Sequence, residues 1–143
     1  MLAGCTTDPI NPDGCRSIEN ARCEAAQHCA AAYPNLDVEA CKRFYDDQCM
    51  HGLAATADPG QPRIDQCVTA IQAAGACAKE GATTCALPLT TGVDPCAVIQ
   101  APEQFQECDF LAAAPAQPDA GDADAVDENA EGGDPDGGAD ASD

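Results

Sequence analysis

Four stretches of the chain repeat apolar residues at helical spacing, and clusters of Gly, Pro, Asn and Asp separate them. In the first, residues 17–33, Ser17 stands as N-cap and Ile18, Ala21, Ala25, Cys29 and Tyr33 fall on one side before Pro34 ends the run. Asn35 caps the second, residues 36–53, where Val38, Cys41, Tyr45, Gln48 and Cys49 share a side and Gly52 marks the end. Pro62 opens the third, whose stripe of Ile64, Cys67, Val68, Ile71, Ala74, Gly75 and Ala78 is the clearest in the chain. Asp94-Pro95 opens the fourth with Cys96, Val98 and Ile99; Pro102 kinks or restarts it, and Phe105, Cys108 and Leu111 continue the apolar side. Residues 54–61 read as a Pro and Gly linker, and 79–93 as a loop pinned by Cys85. The expected class is all-α, a bundle of about four helices. The aromatics Tyr33, Phe44, Tyr45, Phe105 and Phe110 lie at helical spacing and are expected in its core.

The two ends read differently. Residues 6–14 contain two prolines and a Pro12-Asp13-Gly14 turn, which predicts an extended tether and places residues 1–14 outside the helical domain of residues 15–114. Residues 115–143 carry ten acids and no base among Ala, Gly and Pro, a composition that cannot bury a core and is expected to be disordered. Within it, Asp134-Pro135-Asp136-Gly137 with Asp140 resembles one unit of an Asp-rich calcium repeat. It lacks the third liganding Asp and a closing Glu, so only weak screening of the tail by divalent cations is expected.

Composition changes the meaning of this pattern. Ile, Leu, Val and Phe number only 19 of 143 residues, and Trp is absent, well under the roughly 20% usual for globular chains. Apolar burial alone struggles to offset a conformational entropy of roughly 1–2 kcal/mol per residue. Eleven cysteines supply an alternative. No CxxC occurs, and the two nearest cysteines, Cys23 and Cys29, are six positions apart. Thiolate metal knuckles, thioredoxin chemistry and c-type haem attachment therefore lack their signatures, and no cofactor or metal is expected. Disulfides in an oxidising compartment are the expected use.

In an antiparallel helix pair the numbers of facing residues sum to a constant. Cys29 with Cys41 and Cys23 with Cys49 sum to 70 and 72; Cys77 with Cys96 and Cys67 with Cys108 sum to 173 and 175. This predicts two doubly stapled αα-hairpins, with Cys15 to Cys85 as a fifth bridge. Against the first pair stands a phase argument, because six residues turn a helix by about 600° and leave Cys23 and Cys29 about 120° apart. Local pairing of Cys77 with Cys85, with Cys15 reaching another helix, is the competing arrangement. The paired cysteines resemble those of coiled-coil-helix proteins, without their fixed nine-residue spacing; the likeness implies helical-hairpin architecture and no function.

Leu2-Ala3-Gly4-Cys5 resembles the lipobox of bacterial lipoproteins, in which the cysteine is acylated and becomes the mature N-terminus. The resemblance implies a lipid on Cys5 and a membrane anchor outside the cytoplasm, facing the periplasm or the surface. Setting Cys5 aside leaves ten cysteines, an even number that can pair completely. The departure from that family is that no basic n-region or apolar h-region precedes the four residues.

A net charge of −19 argues against nucleic acid as partner. Ser occurs only at 17 and 142, which removes most serine-nucleophile schemes. His28 follows Glu24 by four residues and His51 follows Asp47 likewise, the spacing of a carboxylate-oriented base, but no nucleophile accompanies either, so no enzyme is expected. Arg22, Lys42 and Arg43 could form a small basic spot. The reading is a lipid-anchored, cysteine-rich structural or protein-binding module of the cell envelope, with a protein partner. Its alternatives are a carrier of small lipophilic ligands and an enzyme using His28 or His51. The adjacent CC and CxC of plant lipid-transfer proteins are missing.

Overall fold

The computed structural model describes residues 8–113, and all of its regular elements are helical. Four α-helices, α1 (Pro12–Ala26), α2 (Val38–Gln48), α3 (Gln61–Lys79) and α4 (Pro95–Gln100), alternate in direction. Short 3-10 segments follow at Cys49–His51, Pro102–Gln104 and Gln106–Ala113. The expected acylation of Cys5 and disorder of residues 115–143 lie outside the described residues.

Helix α1 begins five residues ahead of Ser17. Asn11 adopts a left-handed conformation and its side chain accepts the Gly14 amide at 2.8 Å, while Pro12 supplies the first-turn φ. The Pro12-Asp13-Gly14 run is thus the first turn of a helix, not the end of a tether, and Ser17 lies inside, donating to the Asp13 carbonyl. The folded unit starts earlier still, because Ile10 pairs with Gly52 and accepts the Leu53 amide at 2.7 Å. At its other end α1 stops at Ala26: the amides of His28 and Cys29 turn to the carbonyls of Ala25 and Ala26, tightening the chain out of the α-helix. Asp37, and not Asn35, caps α2 through the Ala40 amide at 3.0 Å; Asn35 occupies a left-handed turn position. Pro62 and Asp94-Pro95 open α3 and α4 as expected, and Pro102 starts a new 3-10 turn.

These boundaries decide the disulfides. Cys15 and Cys23 both lie on α1, eight residues apart and so within about 80° of one another. They bridge to Cys49 and Cys41, two pairs with the same sum, so the first hairpin is doubly stapled as expected but in a different register. The expected Cys29–Cys41 and Cys23–Cys49 pairs do not form, because Cys29 lies beyond the end of α1. Cys29 instead reaches Cys96 at the start of α4. That takes the place of the expected Cys77–Cys96 pair, and Cys77, near the end of α3, closes locally on Cys85 eight residues on. The expected Cys15–Cys85 bridge is thereby excluded as well. Cys67 joins Cys108. The plan of two stapled units and one cross-bridge holds, with Cys29–Cys96 as the cross-bridge. Five closed bridges belong to an oxidising, extracytoplasmic compartment.

The core lies where α1 crosses α3 side by side in the same direction. Gly14, Ile18, Ala21 and Ala25 meet Ile64, Cys67, Ile71, Ala74 and Gly75, and α4 with the last 3-10 segment adds Val98, Ile99, Cys108 and Phe110. Small residues let the two helices approach: a Cβ on Gly14 would overlap Ile64 Cδ1, and one on Gly75 would fall 2.8 Å from Ala25 Cβ. The 79–93 loop closes on a Cys85–Val93 bridge and buries Leu87. It is pinned by Glu107, a fully buried carboxylate that accepts the Leu89 amide at 2.6 Å and the Thr90 hydroxyl at 3.1 Å.

An exposed helical Gly gains about 1 kcal/mol on becoming Ala. Gly75→Ala is expected to do the reverse, losing about 1–3 kcal/mol in urea unfolding because the helices must part. Ala25→Gly in the same chain should recover part of that loss. A more stable single variant would contradict the close crossing.

Candidate functional site

Clefts in this molecule follow the seam between α1 and α2. One of about 530 Å³ has a floor of Ala21, Ala25, Gly75 and Ala76, with Glu24, His28, Lys42 and Lys79 around it. A second, of about 570 Å³, lies at the opposite end of the seam, lined by Ile18, Glu19, Tyr45, His51, Leu53 and Glu103 among others. Between them a gap of only about 40 Å³ separates Cys23, Ala26, Tyr33, Leu36 and Ile99.

The second cleft has the more organised electrostatics. Arg22 donates from one guanidinium nitrogen to both oxygens of Glu19, at 3.2 and 3.1 Å. Its remaining donors reach the carbonyls of Ile99 and Gln100 at 3.0 and 3.1 Å, so one side chain satisfies the end of α4 and holds a carboxylate on α1. Burial raises the Glu19 carboxyl above its ordinary value of 4.5; the Arg22 charge and hydrogen bond oppose this, and Glu103 adds to it. Burial also raises the Tyr45 phenol, and Glu19 reinforces the shift.

The residues singled out in the sequence scatter over this seam. His28 and His51 line different clefts. Glu24 does not orient His28, because the helix has ended between them and the Glu24 carboxylate instead accepts Lys42 Nζ at 2.7 Å. That bond raises the Lys42 pKa above 10.5. No hydrogen bond joins Asp47 to His51, which sits in the 3-10 turn after α2. The basic spot is not assembled: Arg22 is directed at α4, Lys42 is paired with Glu24 and Glu39, and Arg43 is exposed. Of the aromatics, Phe110 is buried beneath the Arg63 guanidinium, while Tyr33, Tyr45 and Phe105 are half-buried. Phe44, expected in the core, is instead 57% exposed and edge-on to Tyr45. Among the described residues no three His, Cys, Asp or Glu side chains converge on a metal position. Asp134, Asp136 and Asp140 lie outside them.

Glu19 and Glu107 were invisible to sequence reasoning. Glu19 with Arg22 has the spacing of an ordinary exposed helix pair, and Glu107 finds its donors 17 and 18 residues away.

A carboxyl whose folded pKa is raised stabilises the fold fully below its unfolded value, near 4.5, and that stability is lost as pH rises through the folded value. Comparing wild type with Glu19→Gln by urea unfolding at pH 4 and pH 7, the difference is expected to move in favour of wild type on acidification. A shift in favour of Glu19→Gln would mean that the Arg22 pair outweighs burial. No protein-family model, curated protein or solved structure matches this chain, so a functional reading has to rest on its own chemistry.

Proposed function

We propose that the protein is a cell-envelope lipoprotein, anchored through acyl groups on Cys5, whose disulfide-closed helical domain serves as a structural or protein-binding module. The observation that carries this is cysteine parity. The ten cysteines from Cys15 to Cys108 close among themselves in five bridges, so the framework requires nothing of the eleventh, which stands at the end of Leu2-Ala3-Gly4-Cys5. A chain built to cross an oxidising space and to keep one cysteine for another chemistry is consistent with that parity. No helix among the described residues is long and apolar enough to cross a membrane; a lipid would supply the attachment. The ten carboxylates of residues 115–143 add a polyanionic segment that repels other anionic surfaces.

The carrier reading receives less support from the cavities. Sites for small apolar ligands occupy about 300–1,000 Å³ and are lined mainly by apolar side chains. The two clefts of that size are rimmed by Glu24, Lys42 and Lys79 or by Glu19, Arg22 and Glu103, and the more apolar gap holds about 40 Å³.

Mass spectrometry of protein extracted from its native membranes tests the proposal. The expected result is an N-terminal Cys5 bearing acyl chains, and Cys5→Ser should move the protein into the soluble fraction. An unmodified Cys5 thiol would overturn the anchor, and a stoichiometric lipid bound elsewhere than Cys5 would favour the carrier.

A further inference from the structure

Helix α2 is attached to the molecule in a different way from the others. None of its residues is buried, and none belongs to the apolar core or to the half-buried shell packed against it. Its side chains form one wall of both clefts and of the gap between them: Val38 and Lys42, Tyr45 and Gln48, Cys41 and Tyr45. A helix seated by its own apolar face would fill that space. What holds α2 is covalent: Cys23–Cys41 near its start and Cys15–Cys49 just after its end. The Lys42–Glu24 ion pair is open to solvent and adds little.

The chain on either side of α2 is anchored independently. Leu36 packs on the core, and Leu53 is buried with its amide bonded to Ile10. Asn35 and Gly52, both at positive φ, bracket the segment between them. Cys67–Cys108 is buried at both ends, whereas each of the other four bridges, the two of α2 among them, has one half-buried cysteine.

We propose that residues 37–51 form a redox-released arm: a dithiol reductant that opens Cys15–Cys49 and Cys23–Cys41 frees α2 while α1, α3, α4 and the last 3-10 segment stay folded. In each bridge a reductant thiolate attacks one sulfur and displaces the other cysteine as thiolate. The second reductant thiol then resolves the mixed disulfide. Two electrons and two protons pass to the cysteines, which end as thiols, and the dithiol ends as a disulfide. Release uncovers the α1 face that carries Glu19, Arg22, Cys23 and Ala26.

The test uses the full chain carrying Cys15→Ser, Cys23→Ser, Cys41→Ser and Cys49→Ser together, read by amide hydrogen exchange. Amides of residues 41–48 are expected to exchange at least about tenfold faster than in wild type, while those of residues 64–76 in α3 stay within about threefold. Loss of α3 protection, failure of the variant to fold, or unchanged protection in α2 would each overturn the proposal. Wild-type protein gives an independent reading under graded dithiothreitol, with alkylation of the freed thiols and peptide mapping. The expected intermediate is alkylated at Cys15, Cys23, Cys41 and Cys49, with Cys67–Cys108 closed and α3 still protected. Alkylation of all ten cysteines in one step would overturn it.

Discussion

Among the five bridges, Cys29–Cys96 alone joins the two halves of the chain. Two others close within residues 15–49 and two within residues 67–108. It spans 67 residues, so in the chain-entropy picture it contributes about 4 kcal/mol, against about 2.5 for the eight-residue Cys77–Cys85 loop. Its placement is as important as its length. It sets the start of α4 against the turn that follows α1, and Arg22 then meets the other end of α4 through the Ile99 and Gln100 carbonyls. One covalent and one hydrogen-bonded contact thus fix a six-residue helix that could not persist alone.

Around that tie the core is small in volume but closely built. With so few large apolar residues, α1 and α3 gain contact by approaching through Gly14, Ala21, Ala25 and Gly75. Close approach brings more atoms into dispersion contact per side chain than Ala would make in a wider crossing. The same economy explains α2. The buried apolar residues are committed to the α1–α3–α4 interface and α2 buries none of its own, so two disulfides seat it instead.

Features set by local chemistry were legible in the sequence. Pro62 and the stripe from Ile64 to Gly75 gave α3, and Asp94-Pro95 gave α4, because caps and apolar spacing act within a few residues. Pro12-Asp13-Gly14 suits a turn and a helix N-terminus alike; the Gly14 packing against Ile64 that favours the helix comes from 50 positions away. With α1 running Pro12–Ala26 and not 17–33, Cys15 lies on the helix and Cys29 beyond its end, and most of the differences in bridge pairing follow from that. In the candidate site, the expected Glu24–His28 pair depended on helix phase persisting past Ala26. The roles of Arg22 and Glu107 depend on carbonyl, amide and hydroxyl partners that only tertiary packing supplies.

The functional reading and the proposed arm both rest on how the ten framework cysteines pair. Peptide mapping of the native protein without reduction measures this directly. The account requires Cys15–Cys49, Cys23–Cys41, Cys29–Cys96, Cys67–Cys108 and Cys77–Cys85. A peptide joining Cys29 to Cys41, or Cys77 to Cys96, would contradict it, since either takes one of the two cysteines that make the Cys29–Cys96 tie.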